Sequence, residues 1–202
     1  MDCQNKKPVR FPTYWRQRAM DPLSPRLLIW EAARATSAAS TFFDDITLGK
    51  FRQKFRDGGT GANNPIEYLW TEALNEWPDL NEKINCVVSV GTGQPMVKGF
   101  EEENLKGLIK SLTSIATDAE QTEVKFANAN GHLLDRTNRR YFRLNVTEGV
   151  GSFGLEDTEK AGTIASVTRE FFEKRDEWQK AEQIRDLLKA SGTHAKPNAP
   201  CT

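Results

Sequence analysis

The sequence predicts an α/β fold in which helices flank a mostly parallel sheet. A strong helix signal over residues 64–77 is followed by an apolar, β-branched run over 84–90, and Gly91-Thr92-Gly93 comes directly after that run. A strand that is apolar on both faces, between a helix and a glycine turn, is typical of a parallel strand buried between helices. Helical and strand-like segments alternate along the rest of the chain, which indicates the same fold class.

The first elements follow from turn and cap residues. Residues 1–24, with three prolines, predict an irregular lead-in. A helix is predicted from residue 25, with Ser24 as its cap and Pro25 at its first position. Its inner face consists largely of small residues: Leu27, Leu28, Ala32, Ala35 and Ala39. Residues 42–55 contain two short alternating apolar stretches around Gly49, which predict a hairpin or bent strand pair.

The helix over 64–77 has the clearest pattern in the chain. Asn64 is a capping residue, Pro65 suits the first helical position and Glu67 the third. Pro78 ends the helix. The apolar positions fit one core-facing stripe: Ile66, Leu69, Trp70, Ala73, Leu74 and Trp77.

The second half predicts two more helical regions around one strand. A helix over 101–129 would direct inward Leu105, Leu108, Ile109, Leu112 and Ile115. Residues 140–146 predict a strand. A long amphipathic helical region over 156–190 has these candidate inner positions: Ile164, Val167, Phe171, Trp178, Ile184 and Leu188. The folded part is therefore predicted to span 25–190, and 191–202 to form a flexible tail.

Charge and cysteine content narrow the function classes. The net charge is zero, so no whole-protein field attracts nucleic acid, and no nucleic-acid partner is expected. The first 56 residues carry 11 Lys and Arg against 5 Asp and Glu. That basic quarter fits peripheral contact with anionic membrane lipid, but a solvated basic face explains it as well because no dense basic run occurs.

The cysteines, the apolar stretches and the histidines indicate the compartment and the type of ligand. Three scattered cysteines, with Cys86 predicted to be a buried and inert thiol, fit a reducing compartment. The chain shows neither a signal-peptide core nor an 18-residue apolar stretch, so a cytoplasmic, at most membrane-peripheral, protein is expected. His132 and His194 lie in polar segments far from each other and from the cysteines, so no metal site and no cofactor is predicted.

The most informative stretch runs from a predicted strand end into Asp57-Gly58-Gly59, ahead of the helix at 64–77. Ligands of open α/β sheets gather where strands end. Two glycines beside a carboxylate permit positive φ and close backbone approach. An Asp-Gly pair is also a common turn, so spacing alone leaves both interpretations open.

Five blocks in order resemble the patatin-like phospholipases, the fungal type most closely. They are residues 29–39 (IWEAARATSAA), 41–43 (TFF), 57–59 (DGG), 63–66 (NNPI) and 88–93 (VSVGTG), with 115–118 (IATD) and 141–146 (YFRLNV) further along. The resemblance covers about residues 25–172 and implies the C-terminal portion of a three-layer patatin-like domain.

This resemblance implies hydrolysis of a lipid acyl ester, phospholipid or neutral lipid, by a Ser–Asp dyad without a cofactor. Asp57 takes the place of the aspartate that accepts the serine proton, with Gly58 and Gly59 completing the family's motif. Such a base must lie within about 2.6–3.2 Å of its serine, and no histidine is needed between them.

One departure from the family puts activity in doubt. The family's Gly-x-Ser-x-Gly turn and glycine-rich oxyanion loop precede the helix at 29–39, and the chain contains no Gly-x-Ser-x-Gly; Ser37 and Ser89 lack flanking glycine pairs. A base without nucleophile or oxyanion donors supplies little catalysis. A truncated, inactive chain with a missing N-terminal half or partner chain is therefore expected. A non-catalytic interaction or regulatory half-domain is the alternative.

A third hypothesis concerns Gly149-Val150-Gly151-Ser152-Phe153-Gly154, which matches Gly-x-Gly-x-x-Gly. The motif is shared with dinucleotide-binding folds. Glu148, Glu156 and Asp157 surround it, and their charges would repel a phosphate at the following helix. A plain glycine-rich turn is the prediction.

Overall fold

The computed structural model describes residues 1–11, 27–39, 42–94, 106–149 and 158–192. Backbone contacts divide the chain into two units, Met1–Asn63 (the N-terminal unit) and Asn64–Thr202 (the C-terminal unit). The described residues combine helices with short strands, including one parallel pair. The prediction of a mixed α/β chain is therefore confirmed.

The N-terminal unit is built on a hairpin. Strands β1 (Ile46–Leu48) and β2 (Gln53–Phe55) pair antiparallel, and Gly49 makes the turn with a φ of 71°. The hairpin predicted around Gly49 is confirmed. Helix α1 (Ile29–Thr36) precedes it, and the four-residue helix α2 (Gly59–Ala62) follows.

The N-terminal unit packs around Ala35, Leu48 and Phe55. The partly buried residues packed against them are Val9, Phe11, Leu27 and Ile46. The lead-in takes part, because Asp2 forms an isolated antiparallel bridge with Phe55. Helix α1 begins at Ile29 and not at residue 25, since Leu28 is extended (ψ 151°). The predicted cap at Ser24 and Pro25 lies outside the described residues.

The C-terminal unit contains a parallel strand pair joined through a helix. Strand β3 (Val87–Val90) pairs with β4 (Tyr141–Leu144), with Val87 opposite Tyr141 and Val90 opposite Leu144. Helix α5 (Lys106–Ala129) lies between them in the chain, as a parallel connection requires. Within the described residues each of these strands has one strand neighbour, so the central position predicted for residues 84–90 is not seen there.

The described part of the C-terminal unit contains four further helices: α3 (Ile66–Glu76), α4 (Leu80–Lys83), α6 (Ala161–Glu173) and α7 (Arg175–Gly192). Short 3-10 turns in the same described part lie at Gly131–Leu134 and Thr158–Lys160. The core consists of Ile66, Trp70, Val87, Phe126, Leu133 and Tyr141. Edge-to-face contacts join its aromatic rings, with centroids 5.8 Å apart for Trp70–Phe126 and 4.8 Å for Phe126–Tyr141.

The predicted inner stripes were wider than the observed ones. In α3 the buried side chains are Ile66 and Trp70, whereas Leu69 is exposed. Trp77 is exposed because the helix ends at Glu76, one residue before it. These two predictions were wrong, because α3 contacts its neighbours along a narrow i, i+4 line. The inner positions predicted for α5, Leu105, Leu108, Ile109, Leu112 and Ile115, lie outside the residues whose side chains are described.

The single helical region predicted over 156–190 is two helices. Lys174 has an extended backbone (ψ 127°) and separates α6 from α7. Phe171 and Ile184 are buried as predicted and Val167 is half-buried, but Ile164, Trp178 and Leu188 are exposed. The break changes the helical phase, so one continuous stripe cannot stay buried. Helix α7 continues to Gly192, and residues 193–202 of the predicted tail lie outside the described part.

Candidate functional site

Asp57 lies in the N-terminal unit, two residues after β2. Its backbone N–H donates to the carbonyl of Ala38 (2.9 Å), which ties it to the residues after α1. Its side-chain Oδ1 accepts a hydrogen bond from the Gly59 N–H (2.8 Å). The side chain is half-buried, and no hydrogen bond from a described residue reaches Oδ2. The carboxylate is therefore oriented through one oxygen while the other has no described partner.

The glycine pair lies close to the carboxylate without using the positive φ that glycine permits. Gly58 has a φ of −70°, and neither Gly58 nor Gly59 has a positive φ. A Cβ on Gly58 would meet nothing within 4 Å, whereas a Cβ on Gly59 would lie 3.4 Å from Asp57 Oδ1. Gly59 matters because its backbone approaches the carboxylate and donates to it.

The surroundings of Asp57 also differ from the predicted junction. The strand before it is part of an antiparallel hairpin in the described structure, not the carboxyl end of a parallel strand. A second carboxylate, Asp45, is occupied by Arg56, which donates from Nε (3.2 Å) and Nη2 (3.1 Å). These hydrogen bonds lower the pKa of Asp45. Asp45 is thus taken up by Arg56, whereas Asp57 Oδ2 accepts no hydrogen bond from a described residue and interacts only electrostatically with the Met1 ammonium.

Neither candidate serine has the surroundings of a nucleophile. The Ser37 hydroxyl donates to the carbonyl of Ala33 in its own helix (2.8 Å). Ser89 is buried in β3, as predicted; its hydroxyl donates to Asn64 Oδ1 (3.4 Å) and accepts from Arg143 Nη1 (2.8 Å). An amide oxygen is a poor proton acceptor, so Ser89 has no described general base.

The C-terminal unit contains a polar cluster that the sequence analysis did not assign. We call Ser89, Glu120, Arg143 and Asn145 the strand-end cluster, because it lies where β3 and β4 end. Arg143 bridges Ser89 and the Glu120 carboxylate, whose Oε1 is 3.7 Å from Nη2. Asn145 donates to the same Glu120 oxygen (2.7 Å). Arg143 and Glu120 are partly exposed, at 14% and 35% of their side chains, and these contacts join the four side chains into one connected network.

Asn145 anchors the loop Gly91-Thr92-Gly93. Its Oδ1 accepts a hydrogen bond from the Gly93 N–H (2.8 Å), and Gly93 has a φ of 95°. A Cβ on Gly91 would overlap Asn145 Oδ1 and lie 2.5 Å from its Cγ. Both glycines are therefore required here for close approach and positive φ. A polar residue directly after a strand, as Asn145 is, was the available signal.

The remaining sequence candidates bring no chemistry together. His132 is exposed, as predicted, and its Nε2 lies 3.1 Å from Asn81 Oδ1. Cys86 is half-buried and not fully buried as predicted; burial raises the pKa of its thiol. Gly149 has a φ of 85°, while residues 150–154 of the glycine motif and His194 lie outside the described part.

Neither a membrane-spanning helix nor a metal-binding cluster occurs among the described residues. None of the described helices is long and apolar enough to cross a membrane. Among the described side chains no group of three or more His, Cys, Asp or Glu is arranged to hold a metal ion.

The chain is similar to phospholipases. It is 29% identical to calcium-independent phospholipase A2-gamma of Mus musculus over 175 residues, 82% of this chain and 20% of the relative. It is 27% identical to the 85/88 kDa calcium-independent phospholipase A2 of Rattus norvegicus over 181 residues, 78% of this chain and 22% of the relative. Over 65 residues it is 43% identical to phospholipase A I of Arabidopsis thaliana, 32% of this chain and 5% of the relative.

These similarities support a patatin-like phospholipase, the family that the sequence resembles. No family model matches the chain. The chain spans about a fifth or less of the length of these relatives.

Proposed function

We propose that this chain is the aspartate-bearing portion of a patatin-like lipid acyl hydrolase. The observation that carries the proposal is the similarity to calcium-independent phospholipases A2 over 82% of the chain, a span that includes most of its elements. The position of Asp57 supports it, because one carboxylate oxygen is held by Gly59 and the other has no described partner. The substrate class is a lipid acyl ester, phospholipid or neutral lipid.

In this proposal Asp57 is the proton acceptor of a Ser–Asp dyad whose serine lies outside this chain. The serine hydroxyl loses its proton to Asp57 while its oxygen bonds to the ester carbonyl carbon. The bond to the leaving alcohol then breaks, and the alcohol takes the proton back. Water, activated by the same carboxylate, cleaves the acyl-serine and releases a fatty acid. The bond from Gly59 would keep the carboxylate in one rotamer through both proton transfers.

Two further features belong to the proposal. The N-terminal unit exposes several large apolar side chains, among them Ile29 (91% exposed), Trp30 and Phe51. In this proposal these side chains contact a protein segment or the membrane. We infer a missing N-terminal half of the domain as its cover, with peripheral membrane contact and a cytoplasmic location as further predictions. The fungal-type, C-terminal assignment is part of the same proposal.

The test begins with the 5′ end of the transcript that encodes the chain. A reading frame that extends through a Gly-x-Ser-x-Gly turn should give a full-length protein that hydrolyses fluorogenic phospholipid. Asp57→Asn should then reduce the turnover number by about 10²–10⁴. Asp44→Asn is the matched control, because Asp44 is an exposed aspartate of the same unit. Equal activity of the Asp57 variant and the control would remove Asp57 from the mechanism.

The alternative is a non-catalytic interaction or regulatory half-domain. It is favoured if the transcript begins at Met1 and the 202-residue chain is monomeric and unfolds cooperatively. In that case the chain should show no ester hydrolysis above a Ser89→Ala control. Hydrolysis by the 202-residue chain alone, lost in Asp57→Asn, would instead place the nucleophile within it and contradict the expected truncation.

A further inference from the structure

A groove lies at the corner between α6 and α7. Five side chains line it, and we call it the corner groove: Arg169, Phe172, Glu173, Arg175 and Trp178. Its volume is about 310 Å³, the lower end of the range for small-molecule sites. All five residues belong to the described part of the C-terminal unit, whereas Asp57 belongs to the N-terminal unit.

The turn at Lys174 leaves two aromatic side chains facing this groove. Phe171 is buried, and its ring meets that of Phe172 edge-on at 5.2 Å, so Phe172 is supported from behind. Trp178, one turn into α7, is 56% exposed. A supported phenyl ring and an exposed indole form an apolar floor that the described protein does not cover. Such a floor accommodates an aliphatic chain.

The lining carries one net positive charge. Arg169 and Arg175 supply two guanidinium groups and Glu173 one carboxylate. No ion pair joins either arginine to another described residue, whereas the neighbouring Lys174 pairs with Glu148 (3.4 Å). Arg175 is the first residue of α7, where a positive charge opposes the helix dipole. Helix stability therefore does not explain this arginine, and an anionic ligand would.

We propose that the corner groove binds a free fatty acid. The carboxylate pairs with the Arg169 and Arg175 guanidiniums, whose planar forks match its geometry. The first methylenes of the chain lie on Phe172 and Trp178. The one negative charge of a fatty acid balances the one net positive charge of the lining, and its single acyl chain suits the small volume of the groove. The proposal uses residues of the C-terminal unit alone and does not depend on the proposed hydrolysis.

The test uses the 202-residue chain and decanoate below its micellar concentration, measured by titration calorimetry. We expect saturable binding of one decanoate, tightening by up to about fourfold per methylene from hexanoate to decanoate. Arg169→Gln and Arg175→Gln should each weaken binding about tenfold or more, and Trp178→Ala should remove most of the chain-length dependence. The control is Arg185→Gln, an exposed arginine of α7 paired with Glu182 and Asp186, which should bind like the parent chain.

Several results would overturn the proposal. An affinity for decanol equal to that for decanoate would show that the guanidiniums play no part. Equal losses of affinity in the arginine variants and in the Arg185→Gln control would show unspecific charge attraction. Binding of anionic vesicles without binding of monomeric decanoate would identify a membrane contact instead. A shift of tryptophan fluorescence that persists in Trp178→Phe would place the ligand elsewhere. Circular dichroism confirms that each variant is folded, and no outcome bears on the role of Asp57.

Discussion

Replacing Gly91 by alanine tests the strand-end cluster directly. The new Cβ would overlap Asn145 Oδ1 and lie 2.9 Å from Arg143 Nη2. Asn145 cannot move aside freely, because it accepts from Gly93 (2.8 Å) and donates to the Glu120 carboxylate (2.7 Å). Losing a neutral hydrogen bond costs about 1 kcal/mol and a charge-assisted one about 1.5–3 kcal/mol. We therefore expect Gly91→Ala to destabilise the C-terminal unit by about 2–4 kcal/mol.

Urea denaturation measures this effect, with circular dichroism and tryptophan fluorescence as probes; Trp70 lies in the core of the same unit. With a slope of about 2 kcal/mol per molar urea, the middle of the usual range, the midpoint should fall by about 1–2 M. Gly162→Ala is the control, because its Cβ would meet nothing within 4 Å, and it should be neutral or stabilising by up to about 1 kcal/mol.

A double-mutant cycle isolates the contact. In an Asn145→Ala background the overlapping side chain is gone, so Gly91→Ala should add little, giving a coupling energy close to its full cost of about 2–4 kcal/mol. A midpoint shift in Gly91→Ala no larger than that in Gly162→Ala would refute the predicted overlap. Additive effects of the substitutions at 91 and 145 would refute it as well, because the contact would then carry no energy.

Two further predictions concern the same core. Phe126→Ala should lower the free energy of unfolding by about 3–5 kcal/mol in urea denaturation, since Phe126 is 2% exposed and lies between two aromatic rings. The control Val124→Ala, at an exposed position of the same helix, should change it by no more than about 0.5 kcal/mol. Equal losses in the two variants would contradict the packing. Burial and the Glu123 carboxylate, to which the hydroxyl of Tyr141 donates, raise the pKa of the Tyr141 phenol. The folded chain then keeps a proton that the unfolded chain releases above pH about 10, so this contribution is complete below that pH and declines above it by up to about 1.4 kcal/mol per pH unit. Tyr141→Phe should flatten the fall of the urea midpoint between pH 9 and 11, and an unchanged slope would refute the assignment.

Local patterns accounted for much of the fold. The hairpin around Gly49, the helix after Asn64-Pro65 and the parallel strand before Gly91 were all predicted, because turn residues, caps and short apolar runs act on neighbours in the chain. The width of the buried face of each helix was predicted less accurately. Leu69 fits the helical period but is exposed. Periodicity shows that a face can be buried, and the packing partner decides how wide that face is.

Some residues of the candidate sites could be identified from the sequence, and others only from the fold. Asp57 and its glycines could be chosen from the sequence, since a motif is a run of neighbours. The backbone there is nevertheless right-handed, and Gly59 serves as a donor to the carboxylate. The sequence offered Asn145 as a polar residue directly after a strand, but it could not assemble the strand-end cluster around it. Its anchor joins Gly93 to Asn145 across 52 positions, and only the parallel register of β3 and β4 brings them together.

The sequence by itself determined the α/β class, the positions of most helices and strands, and the resemblance that makes Asp57 the candidate base. The fold class and the elements depend on interactions within one or two turns of chain, which composition and spacing record directly, whereas the role of Asp57 is what the family resemblance implies. Only the tertiary structure decided that α6 and α7 separate at Lys174, that Trp178 is exposed beside two arginines, and that Asn145 leaves no room for a side chain at Gly91. Burial, charge pairing and steric fit depend on residues that are distant in the chain and adjacent only after folding.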